Sequence, residues 1–240
     1  MLRIGTLNVH CIKTKLNRLT QLVKDNRCDI IFLQEIPYET TQKLSDMLKY
    51  GFIYTPADHM GNACLSRYPF EEYKTIKLRP DNKRYRYLHE TRSAIYASIK
   101  TPTQGIVNIC GTHLDHISEE VRIRQLTDLF SEIPVKNVDF LCGDFNALNL
   151  PDYSATELEK IAKVRKLSNW ESPKGDLMET LSKCGFRIYP YQTGTSRFDT
   201  RIDYILYQAG WKVKQNIVDT IETKLTDHKM VLAEVSRRKT

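Results

Sequence analysis

No stretch of this sequence approaches the ~18 consecutive apolar residues that a membrane-crossing helix needs, so no spanning segment is expected. The six cysteines include no C-x-x-C pair, which removes the usual spacing of a structural zinc site or a dithiol redox motif. Cys64, Cys110 and Cys142 instead sit inside apolar runs and are expected to be buried, reduced thiols of a reducing compartment. No Pro/Gly/Ser-rich stretch, low-complexity tract or internal repeat divides the chain, so one domain over residues 1–240 is expected. The opening residues, Met1 to Asn8, alternate like a strand and lack the apolar core and small-residue cleavage site of a secretory signal. Also missing is an amphipathic helix or hydrophobic hairpin able to draw a lipid from a bilayer. These absences lead to the expectation of an intracellular protein, cytoplasmic or nuclear, with no stable membrane association.

The chain does have an apolar content of 41% over 240 residues, enough for one large core. Its net charge is +7, which favours polyanionic partners through long-range attraction. Runs rich in Ile, Val, Leu, Phe and Tyr at 2–8, 29–34, 51–55, 62–66, 93–99, 105–112, 138–142, 202–207 and 229–235 read as strands between turn residues. Helical spacing appears in 13–26, where Leu16, Leu19, Leu22 and Val23 share a face, and in 118–133. Ser118 precedes two acids as an N-cap, and Ser154 with Glu157 forms a capping box that opens a third helix. Roughly ten strands and four or five helices predict an α+β fold, with helices covering the outer faces of packed sheets.

The informative feature is where the polar residues fall. Asn8 ends the first strand and Glu35 the second; His113 ends the 105–112 run, and Asp144 and Asn146 follow Phe140-Leu-Cys-Gly. Asp203 starts the Tyr204-Ile-Leu-Tyr207 strand, and Asp227 with His228 precede Met230-Val-Leu-Ala. A lone strand-end Asp or Asn is usually a turn former. Several such positions in one chain point to a shared site on the rim of the sheets, because a buried polar group without partners is costly.

Their chemistry matches phosphate-ester hydrolysis, which requires neutralised equatorial oxygens, an activated water and a stabilised leaving oxygen. Glu35 and Asp227 suit a hard cation such as Mg²⁺, with Mn²⁺ as the alternative. Asp203 is expected to hydrogen-bond His228, making it a general acid or phosphoryl donor. Asp144 suits the attacking water, and Asn146 donation to a phosphoryl oxygen.

The order Leu7-Asn8-Val9, Leu33-Gln34-Glu35, Gly61-Asn62 to Pro69, Thr112-His113-Leu114-Asp115-His116, Gly143-Asp144-Phe145-Asn146, Arg201-Ile202-Asp203-Tyr204 and Thr226-Asp227-His228 resembles the signature of the endonuclease/exonuclease/phosphatase superfamily. The resemblance implies a four-layered α/β sandwich, two packed mixed β-sheets flanked by helices, with deoxyribonuclease I-like Mg²⁺-dependent hydrolysis. It further implies that Glu35 holds the metal; Asn8 and Asp227 are the other expected metal ligands. Asp203, His228 and His113 would contact the scissile phosphate, while Asp144, helped by Asn146 and Asn8, activates water. One departure is His10, where many apurinic endonucleases and tyrosyl-DNA phosphodiesterases carry an acid.

For the substrate, nucleic acid is expected, DNA first, cut by a nuclease or DNA-repair phosphodiesterase. The alternatives are a phospholipid or inositol-phosphate hydrolase on the same core and, further off, a catalytically inactive nucleic-acid-binding module. The segment Lys83 to Arg92 interleaves cations with two tyrosines in the manner of a backbone-tracking, base-stacking loop, with Arg92 as a phosphate ligand. Phe198, in the second candidate wall Tyr191 to Thr200, and His10 complete the expected substrate contacts; His116 is expected just behind the site, and His59 and His89 on the surface. Arg237-Arg238-Lys239 reads as a frayed, solvated end.

Overall fold

The computed structural model describes residues 1–11, 15–57, 60–78, 91–190 and 193–238. Along the chain run β1 (Leu2–Asn8), α1 (Leu16–Asp25), β2 (Ile30–Ile36), α2 (Tyr38–Leu48), β3 (Gly51–Pro56), β4 (Gly61–Ser66), β5 (Phe70–Leu78), β6 (Arg92–Thr101) and β7 (Gly105–His113). They are followed by α3 (Glu119–Glu132), β8 (Phe140–Asp144), α4 (Ala155–Leu167), α5 (Asp176–Lys183), β9 (Asp203–Tyr207), β10 (Trp211–Val218) and β11 (Met230–Arg237). The strands form a six-stranded sheet in the order β10-β11-β1-β2-β4-β3 and a five-stranded sheet in the order β5-β6-β7-β8-β9.

Three apolar layers hold these elements together. Between the sheets, Ile4, Phe32, Ile95, Ile109, Phe140 and Val231 interdigitate. On the outside of the first sheet, Leu19, Val23 and Leu44 from α1 and α2 cover Ile31, Leu33 and Leu65. On the outside of the second, Leu126, Leu129, Leu177 and Leu181 from α3 and α5 cover Leu141 and Leu206. Central strands are thus buried on both faces, which is why Ile30-Ile-Phe-Leu33 is a continuous apolar run rather than an alternating one. The sheets approach so closely that a Cβ at Gly111 would stand 1.8 Å from the Phe32 ring. This is the expected four-layered sandwich of two mixed sheets.

Every predicted strand segment carries a strand. The missed strands, β5 and β10, are two of the four sheet edges, on which Lys74 and Lys77 or Lys212 and Lys214 interrupt the apolar pattern; charges at such positions protect an exposed edge from pairing with another chain. The Ser154 capping box is present. Ser118 is the N-cap residue of α3 but its side chain makes no cap bond. Instead Asp115 Oδ2 accepts from the backbone N–H groups of Ile117 and Ser118 at 2.9 and 2.8 Å. The frayed end needs correction. Arg237 closes β11, donates to the carbonyls of Gln104 and Ile106 at 3.0 and 2.7 Å, and lies 4.6 Å over the Trp211 ring. All six cysteines are free thiols. Among the described residues, no helix is long and apolar enough to cross a membrane.

The topology also builds the rim. β1 and β2 are parallel while β11 runs against β1, so the N-terminal end of β11 lies beside the C-terminal ends of the other two. The second sheet repeats the device with β7 and β8 parallel and β9 antiparallel to β8. His113 pairs in register with Asp144, and Asp144 with Asp203, so one row across the sheet carries three of the expected site residues.

Candidate active site

The rim residues form one connected group. Asn8 Nδ2 donates to Glu35 Oε1 and to Asp144 Oδ2, both at 3.1 Å, which links the two sheets. Asp144 Oδ1 accepts from the Asn146 backbone N–H at 3.0 Å, and His228 Nδ1 meets Asp203 Oδ2 at 2.9 Å. From the same Asp144 Oδ2, His113 Nε2 is 3.6 Å away and His228 Nε2 3.9 Å. At the mouth, His10 Nδ1 lies 3.5 Å from Glu35 Oε2 and 3.7 Å from Asp227 Oδ1.

Holding the group requires uncommon backbone geometry. Glu35 and Asn146 have φ of 54° and 50°, in the left-handed region that non-glycine residues seldom occupy. Such strain of order 1–3 kcal/mol per residue gathers where function demands a particular side-chain direction. At Glu35 it coincides with a register shift in the β2–β4 pairing between Leu33 and Ile36. Gly143 (φ 136°) precedes Asp144, and a Cβ there would collide with the Thr112 carbonyl at 1.8 Å. Only glycine lets β8 pass close enough to β7 for Asp144 to reach the rim.

Two expected roles change. Asn8 was expected among the metal ligands; its amide oxygen accepts the His10 backbone N–H at 3.0 Å and its nitrogen donates to two carboxylates, so it acts as a bridge between acids. Arg92 was expected to hold phosphate, yet it is 5% exposed and points Nη1 and Nη2 at Nδ1 of His113 and of His116, at 3.0 and 3.1 Å. It lies behind His113 rather than on the substrate face. The neighbouring segment 83–90, read as a nucleic-acid contact, lies outside the described residues, as do His59 and His89.

Phe198 is 57% exposed and stacks over the Arg197 guanidinium at 4.8 Å, while Arg197 Nη1 approaches Asp227 Oδ2 at 3.6 Å. An aromatic face and a cation therefore border the acidic mouth. Two contributors were not singled out from sequence. Thr195, fully buried, accepts on Oγ1 the N–H groups of Ile202 and Asp203 at 3.0 Å and so locks the start of β9. Thr226 Oγ1 donates to the Asn8 carbonyl at 2.9 Å and ties the Asp227-His228 segment to β1. Their positions inside the Tyr191–Thr200 and Thr226-Asp-His stretches were the available signal.

The electrostatics follow from burial and charge. Burial, reinforced by the Asp203 charge, raises the Asp144 carboxyl from 3.8 to about 7. Burial opposes charge on His228, but the Asp203 carboxylate and its hydrogen bond, with Asp144 and Asp227, outweigh it and push the ring up to about 10. His113 moves the opposite way, well below 6.5, through burial and the neighbouring Arg92 cation. Their surroundings therefore favour the charged form of His228 and the neutral form of His113.

A divalent cation fits this donor set. Carboxylate oxygens of Asp144 and Asp203 lie within 4.8 Å of each other, with a His228 ring nitrogen the same distance away at most. Asp203 Oδ1 is buried without a hydrogen-bond partner among the described residues. Glu35 and Asp227 add partly exposed carboxylates, with His10 Nδ1 at 3.5 and 3.7 Å and Arg197 Nη1 3.6 Å from Asp227. Clustered oxygen donors of this kind suit hard cations.

The model of the endonuclease/exonuclease/phosphatase family matches residues 5–228. The uncharacterized protein YbhP of Escherichia coli K12 is 27% identical over 173 residues, covering 60% of this chain and 66%, just under two thirds, of that protein. An endonuclease/exonuclease/phosphatase structure from Beutenbergia cavernae aligns at TM-score 0.76 and 18% identity over 98% of this chain and 71% of that one. An AP endonuclease from Archaeoglobus fulgidus aligns at 0.71 and 18% over 98% and 99%. A mannosyl-6-phosphatase from Bacteroides thetaiotaomicron aligns at 0.69 and 16% over 98% and 99%. Members of this family are hydrolases of phosphoester bonds and generally depend on a divalent metal. With the family match spanning nearly the whole chain and the sandwich and its acidic, histidine-bearing rim in place, the protein belongs to the endonuclease/exonuclease/phosphatase family.

Proposed function

We propose that this chain is a phosphodiesterase that uses Mg²⁺, with Mn²⁺ able to substitute, and acts on nucleic acid, DNA first, as a nuclease or repair enzyme. The observation that carries the reading is the His228–Asp203 pair at 2.9 Å, with His228 Nε2 3.9 Å from Asp144 Oδ2. Glu35 and Asp227, with the inward oxygens of Asp144 and Asp203, are the groups able to hold the cation. When bound, it would supply positive charge to the phosphoryl oxygens.

The protein's own groups divide the remaining work. His228, with Nδ1–H given to Asp203, presents a second N–H from Nε2 and stabilises charge developing on the phosphoryl group. Asp144, its two oxygens oriented by the Asn8 amide and by the Asn146 N–H, is placed to take a proton from the attacking water. His113 adds a neutral imidazole on the far side of Asp144. Support for a nucleic-acid substrate comes from the +7 net charge and from Phe198 over Arg197, an arrangement suited to stacking a base beside a phosphate. The AP endonuclease among the structural neighbours agrees with it, whereas the mannosyl-6-phosphatase keeps phosphomonoesters in view.

The test is hydrolysis by the purified chain of single- and double-stranded DNA, RNA, sphingomyelin, inositol phosphates and mannose 6-phosphate, each with Mg²⁺ and with EDTA. Mg²⁺-dependent cleavage of DNA is expected. Turnover confined to lipid, inositol phosphate or sugar phosphate would overturn the nucleic-acid assignment, and none on any substrate would overturn the enzyme reading in favour of an inactive binding module.

A further inference from the structure

We propose that Arg92 is a positioning residue that keeps the proton of His113 on Nε2, so that the ring offers an N–H to the reacting phosphate. The catalytic consequence rests on the phosphoesterase reading above; the tautomer rests on geometry alone.

A guanidinium has donors, no acceptor and a permanent charge. Its Nη1 is 3.0 Å from His113 Nδ1, so that nitrogen must present its lone pair. The neutral ring then carries its single proton on Nε2, 3.6 Å from Asp144 Oδ2 and 4.0 Å from Glu35 Oε1, where the phosphate would sit. Nη2 imposes the same condition on His116, 3.1 Å from its Nδ1. That second ring packs edge-on against Trp170 at 5.3 Å, and its backbone carbonyl accepts from Arg165 Nη2 at 3.0 Å, which braces Arg92 from behind.

One contact argues for the other tautomer, since Asn146 Nδ2 lies 3.3 Å from His113 Nε2 and could donate to it. That amide is neutral and already donates to the Leu114 carbonyl at 3.1 Å. A proton on Nδ1 would press an N–H against a buried formal charge at 3.0 Å. Hydrogen bonds from ionised donors are roughly twice as strong as neutral ones, so the Arg92 contact decides. Protonating both nitrogens would bury two adjacent cations, which desolvation and like charge both oppose.

The two histidines of the site are thereby set in opposite senses. His228 gives Nδ1–H to a carboxylate, while His113 receives a cation's N–H at Nδ1. Hydrogen-bond partners behind a functional histidine fix its tautomer in this way, and losing one typically costs roughly 10–100-fold in activity.

The test uses the full chain labelled with ¹⁵N-histidine. Long-range proton–nitrogen NMR distinguishes protonated from unprotonated ring nitrogens, with the His113 signals assigned by their loss in His113→Gln. Nδ1 of His113 is expected bare and Nε2 protonated near neutral pH; a proton on Nδ1 overturns the proposal without reference to any activity. Arg92→Gln should lower kcat on bis-p-nitrophenyl phosphate roughly 10–100-fold with KM nearly unchanged, and Arg92→Lys, which keeps a donor-only cation, should recover part of it. An unaltered kcat in Arg92→Gln would also overturn it. Should the wild-type chain show the expected tautomer yet hydrolyse no phosphoester, the functional reading fails and the tautomer assignment stands.

Discussion

Replacing Asp203 by Asn probes the chemistry of the rim with little change in volume. Asp203 is fully buried and accepts from His228 Nδ1 at 2.9 Å, while its backbone N–H is held separately by Thr195 Oγ1 at 3.0 Å, so the local fold has an anchor that the substitution spares. The environment moves His228 from 6.5 to about 10. At about 1.4 kcal/mol per pH unit, that displacement corresponds to on the order of 5 kcal/mol favouring the charged ring. Burial works against the charged ring, and the Asp203 carboxylate with its hydrogen bond is the strongest influence favouring it, ahead of Asp144 and Asp227. Loss of the carboxylate that fixes a charged donor to the phosphoryl group lowers kcat by roughly 10²–10³-fold. The assay is steady-state hydrolysis of bis-p-nitrophenyl phosphate at saturating Mg²⁺, with thermal unfolding to confirm that the variant folds. KM should change by no more than about threefold, because the interaction strengthens as charge develops. A kcat loss below about tenfold, or equal losses in kcat and binding, would refute the assignment of His228 as a charged donor to the phosphate.

Three further outcomes are expected. Glu35→Gln should weaken Mg²⁺ binding, read by calorimetry, by roughly 10-fold or more, since it removes a charged ligand from the mouth. In metal-free protein, the Asp144 carboxyl is raised from 3.8 to about 7, so between those values the folded chain holds a proton that the unfolded chain has released, and stability falls as pH rises. Melting temperatures in EDTA should therefore decline from about pH 4 to pH 7 less steeply in Asp144→Asn, and Mg²⁺ should restore most stability at the upper end. Gly111→Ala places a methyl 1.8 Å from the Phe32 ring and should destabilise by roughly 1–3 kcal/mol in denaturant titration, with the sheets forced apart.

Sequence exposed the central strands and the rim for one reason. In a strand buried on both faces the apolar run is nearly unbroken, so a polar residue at its end, such as Asn8 or Asp144, stands out. Edge strands β5 and β10 lack that contrast, because solvent on one side admits the lysines that blur the pattern. The conformations of Glu35 and Asn146 were not legible, since neither is a glycine and their positive φ is imposed by the surroundings. Arg92 shows the limit most clearly. A cation at the head of a strand leading to the rim can face substrate or stand behind a neighbour, and only the pairing of β6 with β7, which sets Arg92 beside His113 and His116, decides which.

In the proposed reaction, phosphoester hydrolysis depends on a divalent cation held at this rim and on Asp144. The most direct test is turnover of bis-p-nitrophenyl phosphate by EDTA-stripped protein during Mg²⁺ titration, run beside Asp144→Asn. Activity should be absent without metal, rise saturably with Mg²⁺, and stay at least roughly 10²-fold lower in the variant. Hydrolysis that persists in EDTA, or that survives the loss of Asp144, would contradict that dependence.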